Sequence, residues 1–329
     1  MKISVDGGAL NAKNNQRFGT SIFSENLIKA LQLYDKKNQY KLYTFENLKP
    51  KVFWMKVRVS IEEFVNKKDV FLGLNQALPL YVSGKTFSFC HGLSYYFFPQ
   101  YYPKRGVIRL NKQLKEMIKR SDKIVVSSEK VKNELVSIYR YIETKVIVIP
   151  FGIPLDMLDK PALTRTTASK KKYFLFVANN QPIKNIDFIL QSFNRLKCDN
   201  KFKDYKLYLV GNWKKYENKK KGIIPYESLS RNKLKNLYQN ATALLTASHY
   251  ESFNFPVLEA LSLGCPVNGL NSAIVPELKP YVNLADNIEK FVKNMKKIQI
   301  RPTLQSIKRL KYLFNWKNYV KNLVKLYKQ

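Results

Sequence analysis

The feature that most limits how this chain can fold is its alternation of short apolar runs with stretches of helical period. Lys2–Val5 is an apolar strand ending at Asp6-Gly7-Gly8. Phe23, Leu27, Ala30, Leu31 and Tyr34 then share one face of a helix. Lys41–Phe45, Val70–Leu72 and Thr86–Phe89 read as strands. Val107, Leu110, Leu114, Met117 and Ile118 mark a helix, followed by the strand Lys123–Val126, the helix Glu129–Ile138 and the strand Lys145–Ile149. A second series begins at the strand Tyr173–Val177. It continues with a helix carrying Ile186, Ile189, Leu190 and Phe193, the strand Lys206–Val210, a helix through Leu234 and Leu237, and the strand Ala243–Thr246. A short helix, the strand Pro266–Leu270 and helices near Asn287–Lys297, Pro302–Lys311 and Trp316–Tyr327 follow. Alternation of this kind predicts an α/β protein with mainly parallel sheets and helices on both faces.

Single cores stop growing at about 250–300 residues, so a chain of 329 predicts two domains. The polar, proline-containing stretch between Phe151 and Lys172 reads as the connection. The expected boundaries are residues 1–155 for the first domain, 156–172 for the linker and 173–311 for the second domain. Residues 312–329 form a closing helix that packs back toward the first domain.

The segment Glu251-Ser-Phe-Asn-Phe-Pro-Val-Leu-Glu259 places two carboxylates eight residues apart across a loop-to-helix junction. Pro256 suits the first helical position, where a missing N–H costs nothing. Gly264 suits the left-handed residue past the helix end, and Pro266 prevents continuation. Backbone N–H groups near Phe253, Asn254 and Phe255 then stand at a helix start, which attracts anions. Glu251 falls in the loop and Glu259 in the first turn. An anion site flanked by two hydroxyl acceptors suits a phosphorylated sugar compound.

Lys184-Asn185 follows the strand Tyr173–Val177, with Asn185 as an N-cap. Read alone, Lys184 is one more surface lysine. Beyond the carboxyl end of a parallel strand and near the Glu251–Glu259 segment, it reads as a phosphate ligand. His91, at the end of Thr86–Phe89, is placed to donate to a sugar hydroxyl; the alternative is a histidine satisfied within its loop. His249 reads as structural.

The 58 basic residues against 24 acidic ones give a net charge of +34. A strong positive field favours anionic partners: nucleic acid, acidic membrane or phosphorylated substrates. The aromatics Tyr95, Tyr96, Phe97, Phe98, Tyr101 and Tyr102 lead into a basic helix over 105–120 bearing Arg105, Arg109, Lys112, Lys115, Lys119 and Arg120. That helix either lies on an anionic lipid surface or simply has one core face and one solvated face. Three scattered cysteines offer neither a disulfide framework nor a zinc site, and a cytoplasmic setting fits them. The N-terminus lacks a signal-peptide core, and no apolar run reaches the roughly eighteen residues of a membrane span. Dinucleotide, Walker-type and serine-elbow motifs are missing, as is an Asp-x-Asp pair for a metal-bound sugar nucleotide.

These residues resemble the retaining glycosyltransferases of family 4, the group 1 glycosyltransferases. The family pattern Glu-Gly-Phe-Gly-x-Pro-x-x-Glu-Ala-x-x-x-Gly-x-Pro-Val is matched by residues 251–267. His91-Gly-Leu-Ser-Tyr-Tyr-Phe-Phe-Pro-Gln-Tyr-Tyr-Pro103, Val126–Leu135, Val148–Ile153, Phe176–Asn185 and Phe314-Asn-Trp316 resemble further family segments in the family order. The resemblance implies the GT-B architecture, two Rossmann-like domains with parallel sheets facing across a cleft. It implies transfer of a sugar from a nucleotide-diphosphate donor to an acceptor hydroxyl, with retention, without a metal and without a cofactor. By the same analogy Glu259 holds the ribose, Glu251 approaches donor-sugar hydroxyls, and Lys184 contacts the diphosphate. The N–H groups at Phe253 to Phe255 stabilise donor sugar and phosphate, while His91 and the loop around Gly19 face the acceptor. The acceptor implied is a glycan or lipid-linked sugar of the cell surface, met at the inner face of the plasma membrane.

Ser252 and Asn254 stand where the family has glycines, Ala178 also replaces a glycine, and Asn179 stands where many members carry arginine. Residues 46–69 are short beside the family. Asparagine tolerates the left-handed conformation, so Asn254 can keep the loop shape. The rival classes are a non-catalytic relative, a basic nucleic-acid-binding protein without a recognisable module, and a glycoside hydrolase, whose paired acids would leave the phosphate sites idle.

Overall fold

The computed structural model describes residues 1–11, 19–49, 52–158, 172–217, 221–227, 229–297, 299 and 301–328. The chain divides into two compact units, Met1–Phe151 with Trp316–Gln329, and Gly152–Asn315. Among the described residues each unit holds one six-stranded sheet, and every strand pairing is parallel.

The first sheet comprises β1 (Lys2–Asp6), β2 (Gln39–Tyr43), β3 (Val70–Gly73), β4 (Lys85–Cys90), β5 (Lys123–Val126) and β6 (Val146–Val148), in the order β2-β1-β3-β4-β5-β6. β3 is buried at all four positions, as a strand covered on both faces must be. Its helices are α1 (Gly19–Tyr34), α2 (Val59–Val65), α3 (Ser94–Phe97), α4 (Lys104–Arg120) and α5 (Glu129–Ile138). β2 begins and ends two residues before the predicted Lys41–Phe45. Thr44 and Asn47 exchange side-chain-to-backbone hydrogen bonds at 2.8 and 3.3 Å, which turns the chain out of the sheet.

The second sheet comprises β7 (Tyr173–Val177), β8 (Lys206–Val210), β9 (Ile223–Tyr226), β10 (Ala243–Thr246), β11 (Val267–Leu270) and β12 (Asn283–Ala285), in the order β12-β11-β10-β7-β8-β9. Its helices are α6 (Ile186–Lys197), α7 (Arg231–Asn240), α8 (Phe255–Ser262), α9 (Ile288–Lys296) and α10 (Leu304–Leu313). The core under α6 and α9 is built from Phe174, Phe176, Ile189, Phe193, Leu207, Leu209, Phe291 and Met295.

The closing helix α11 (Trp316–Tyr327) belongs to the first unit and lies along α1. Phe23 of α1 is the centre of that contact, with ring centroids 6.0 Å from both Trp316 and Tyr319 and 4.6 Å from Phe151. Most of the linker read at 156–172 lies outside the described residues. Its first residues are not open chain: Leu155–Met157 forms a 3-10 turn, and Asp156 is ion-paired within the second unit.

The aromatic run before α4 is not a continuous exposed stripe. Tyr95 is buried, with its hydroxyl accepting from Gln76 Nε2 at 2.8 Å. Tyr102 is half-buried against Ser94, and only Tyr96 and Phe97 stand clearly outside.

Candidate active site

In the second sheet the strand order reverses direction between β7 and β10. In open α/β sheets, ligands bind beyond the carboxyl ends of strands at such a switch point. Because β7 and β10 are neighbours, the loops that leave them run side by side and are tied together. Asn185 Nδ2 donates to the Ala247 carbonyl at 3.1 Å, the His249 N–H donates to the Ile183 carbonyl at 2.9 Å, and Lys184 Nζ donates to Glu251 Oε1 at 2.7 Å. Ser248 Oγ donates to the same carboxylate oxygen at 2.7 Å. The Lys184 and Glu251 side chains are 22% and 13% exposed, so the pair is sheltered yet reachable. An ammonium group carries three donors, and Glu251 takes one.

Asn185 starts α6, but not as the side-chain cap the sequence predicts. It adopts a left-handed backbone (φ 54°), its Nδ2 donates to the Ala247 carbonyl, and its Oδ1 accepts from no N–H of α6.

α8 opens at Asn254, also left-handed at φ 71°. The Asn254 side chain does more than tolerate the turn. Its Oδ1 accepts from the Val257 N–H at 3.3 Å, and its Nδ2 donates to Thr246 Oγ1 at 3.2 Å and to the Ala273 carbonyl at 3.1 Å. The first helical residue is Phe255, so Pro256 occupies the second position, not the first as the sequence suggests. Gly264, at φ 75°, ends the segment in the left-handed conformation. The rings of Phe253 and Phe255 are buried, with Phe253 centred 5.9 Å from both Phe255 and Phe314.

Glu259 is the fifth residue of α8 and lies past its first turn, contrary to the sequence reading. It is 2% exposed. Arg231 Nη2 donates to its Oε1 at 2.7 Å, and the Tyr238 hydroxyl donates to its Oε2 at 3.0 Å. Arg231 also grips Asp156, through Nε at 2.7 Å and Nη2 at 3.0 Å. Burial pushes the Glu259 carboxyl up from its usual range, and Arg231 opposes that. Burial likewise works against the Arg231 charge, but Glu259 and Asp156 outweigh it and hold the guanidinium more firmly protonated. An arginine cannot discharge in such a setting, so Glu259 is held as the carboxylate.

Arg231, Tyr238, Asp156 and Ser248 escaped the sequence reading. The one available signal was the spacing of Arg231 and Tyr238, seven residues apart and hence on one face of α7, two turns from each other. Asn179, in the loop after β7, has a buried Oδ1 with no hydrogen-bond partner among the described residues.

His91 and Gly19 belong to the first unit. His91 Nε2 lies 2.7 Å from the Leu74 carbonyl, which can only accept. Burial pushes the imidazole below its ordinary pKa. A neutral ring that donates through Nε2 leaves Nδ1 as an acceptor. Its donor is therefore spent on the Leu74 carbonyl, which satisfies the ring on that side and leaves Nδ1 as an acceptor. Next to Leu74, Asn75 Nδ2 donates to Asp6 Oδ2 at 3.0 Å, and the Gly8 N–H donates to Asp6 Oδ1 at 2.8 Å. This cluster sits at the switch point of the first sheet, between β1 and β3. Gly19 is the first residue of α1, and most of the loop before it lies outside the described residues.

The site geometry can be set beside known proteins. Residues 164–298 match the model of the glycosyl transferases group 1, and residues 73–157 that of glycosyltransferase family 4. The chain is 26% identical over 233 residues to O-antigen chain mannosyltransferase B of Escherichia coli, covering 64% of this chain and 59% of that protein. It is 28% identical over 223 residues to O-antigen chain mannosyltransferase RfbU of Salmonella typhimurium, covering 65% and 59%. These matches thus span less than two thirds of the relatives' own length. Among solved structures, sucrose-phosphate synthase from Thermosynechococcus elongatus superposes with a TM-score of 0.72 at 14% identity, covering 100% of this chain and 98% of that one. The fold is therefore GT-B. The chain belongs to family 4 of the glycosyltransferases, the group 1 enzymes.

Proposed function

We propose that this chain transfers a sugar from a nucleotide-diphosphate donor to an acceptor hydroxyl in the synthesis of a cell-surface polysaccharide or glycolipid, with retention and without a metal. The observation that carries the reading is the Lys184–Glu251 pair at the switch point of the second sheet, where a cation and a hydroxyl acceptor stand together. Lys184 meets the donor diphosphate, Glu251 the sugar hydroxyls, and Glu259 the ribose. The start of α8 at Phe253–Phe255 adds a helix dipole favourable to the phosphates. Asn179, in the loop that carries Lys184, belongs to the donor side in this reading. On the acceptor side stand Gly19 and His91, whose Nδ1 receives a hydroxyl proton.

As the glycosidic bond breaks, negative charge grows on the departing diphosphate. Charge-assisted hydrogen bonds contribute about 1.5–3 kcal/mol each, against the roughly 8–23 kcal/mol by which enzymes lower barriers. Lys184 and its neighbours therefore supply part of the acceleration, and positioning of the acceptor supplies the rest. Two of the relatives act on O-antigen chains, which supports a polysaccharide acceptor. Among the described residues no helix is long and apolar enough to cross a membrane. The proposed location is peripheral, on the inner face of the plasma membrane, with the basic α4 toward anionic lipid. A thermal-shift panel of nucleotide sugars tests the reading: at least one raises the melting temperature of the wild type, and stabilisation by none overturns it.

A further inference from the structure

The first unit exposes an apolar face that no core requires. Val57, Ile61, Phe64 and Val65 recur at helical spacing through α2 and the turn before it, and Phe64 and Val65 are 67% and 68% exposed. Leu80 and Tyr81 extend this face. The Leu80 N–H donates to the Lys56 carbonyl at 3.3 Å, the Tyr81 N–H donates to Ser60 Oγ at 3.1 Å, and the Tyr81 ring is 5.8 Å from that of Phe64. Isolated surface hydrophobes need no explanation, but a contiguous group of six marks a contact surface.

The face is attached to α4. Lys56 pairs with Glu116 at 2.5 Å, and Arg120 donates to the Pro79 and Leu80 carbonyls at 2.5 and 3.1 Å. Glu116 and Arg120 are thus turned to the apolar group. The outward side of α4 next to them carries Lys112, Lys115 and Lys119, all exposed, with Ile108 standing 70% exposed one turn before Lys112. On the far flank of the helix, Lys115, Lys119 and Lys145 line a hollow of about 410 Å³.

We infer that the α2 face, with Leu80 and Tyr81, inserts into an anionic lipid bilayer beside the basic ridge of α4. The inference rests on the membrane location proposed above and adds the element that penetrates. Apolar side chains bordered by lysines match the two layers of a membrane surface, acyl chains beneath and anionic headgroups above. A second copy of this chain fits less well: it would bring the same lysine ridge and a net charge of +34 to the same place.

The test is co-sedimentation with vesicles of phosphatidylglycerol and phosphatidylcholine, and with phosphatidylcholine alone. It compares the wild type, the pair Ile61→Ser with Phe64→Ser, and the pair Lys112→Glu with Lys115→Glu. A separate Phe64→Trp variant reports insertion directly, because the native Trp54, Trp213 and Trp316 are buried. The expected result is binding to anionic vesicles, a loss of about tenfold or more in either pair, and a blue shift of the introduced indole's emission on binding. Circular dichroism establishes that the serine pair is folded, and the indole signal of Phe64→Trp stands whether or not it is. Loss in the lysine pair alone, with unshifted emission from Phe64→Trp, overturns the inference and leaves the membrane reading intact. No wild-type binding to anionic vesicles overturns both. A dimer that forms without vesicles and is lost in the serine pair overturns the lipid assignment in favour of a second copy.

Discussion

Lys184 and Glu251 are 67 residues apart in sequence and 2.7 Å apart in the structure, at the one place in the second sheet where strand order reverses. The lysine is fixed by a partner that itself belongs to the proposed site, so it is oriented before any ligand arrives. Lys184→Ala is expected to lower kcat by about 10²–10³, the usual cost of deleting one charge-stabilising donor, with a smaller change in KM. Steady-state transfer kinetics check it. A raised KM with unchanged kcat would reduce Lys184 to a binding residue.

Arg231 holds a carboxylate that is almost fully buried. Removing one partner of a buried pair leaves an uncompensated charge, which costs about 3–5 kcal/mol. Arg231 is 21% exposed and water can reach part of the vacated space, so Arg231→Ala is expected to destabilise the fold by about 3 kcal/mol, toward the low end of that range. Urea unfolding of the second unit's transition measures it, and a loss below about 1 kcal/mol would place the pair among ordinary surface bridges.

Asn254 combines a left-handed backbone with three side-chain hydrogen bonds. Asn254→Gly keeps the backbone and loses the bonds, at about 1–3 kcal/mol. Asn254→Ala adds left-handed strain of about 1–2 kcal/mol. Alanine should therefore be the more damaging of the two in a denaturant titration. The opposite ranking would mean that the left-handed backbone at Asn254 imposes no strain on a residue with a Cβ.

Burial depresses the His91 pKa below its ordinary 6.5. Below 6.5 the unfolded chain binds a proton that the folded chain resists, so this contribution to stability is present above that pH and is lost as pH falls toward the folded value. Urea midpoints should drop between about pH 7.5 and about pH 5.5, and His91→Gln should flatten the drop. His249 is also depressed by burial and leaves a residual slope of the same sign.

Much of this was legible in the sequence because a parallel sheet covered on both faces writes itself as uninterrupted apolar runs. Lys123–Val126, Tyr173–Val177, Lys206–Val210 and Ala243–Thr246 fall where the residues put them. β9 and β12 did not announce themselves. Both are edge strands of three or four residues, with Pro225 inside one and Asn283 opening the other, so neither carries a strong strand pattern. At the site, Lys184 and the two glutamates could be found from motif spacing. The Arg231 grip on Glu259 and Asp156 could not, because it joins three segments that only the fold brings together. Nor could the missing cap at Asn185, since local rules favour one and the fold instead holds the residue in a left-handed backbone, with its Nδ2 donating to the Ala247 carbonyl in the loop after β10.

The central claim is that the Lys184, Glu251 and Glu259 surroundings form a nucleotide-sugar site. Calorimetric titration of the wild type and of Glu259→Ala with a panel of nucleotide sugars, after melting curves establish that the variant is folded, tests it most directly. The account predicts that the wild type binds at least one donor, that the matching free nucleoside diphosphate competes, and that Glu259→Ala abolishes binding. Unchanged donor affinity in Glu259→Ala, or binding of no nucleotide sugar by the wild type, would contradict it.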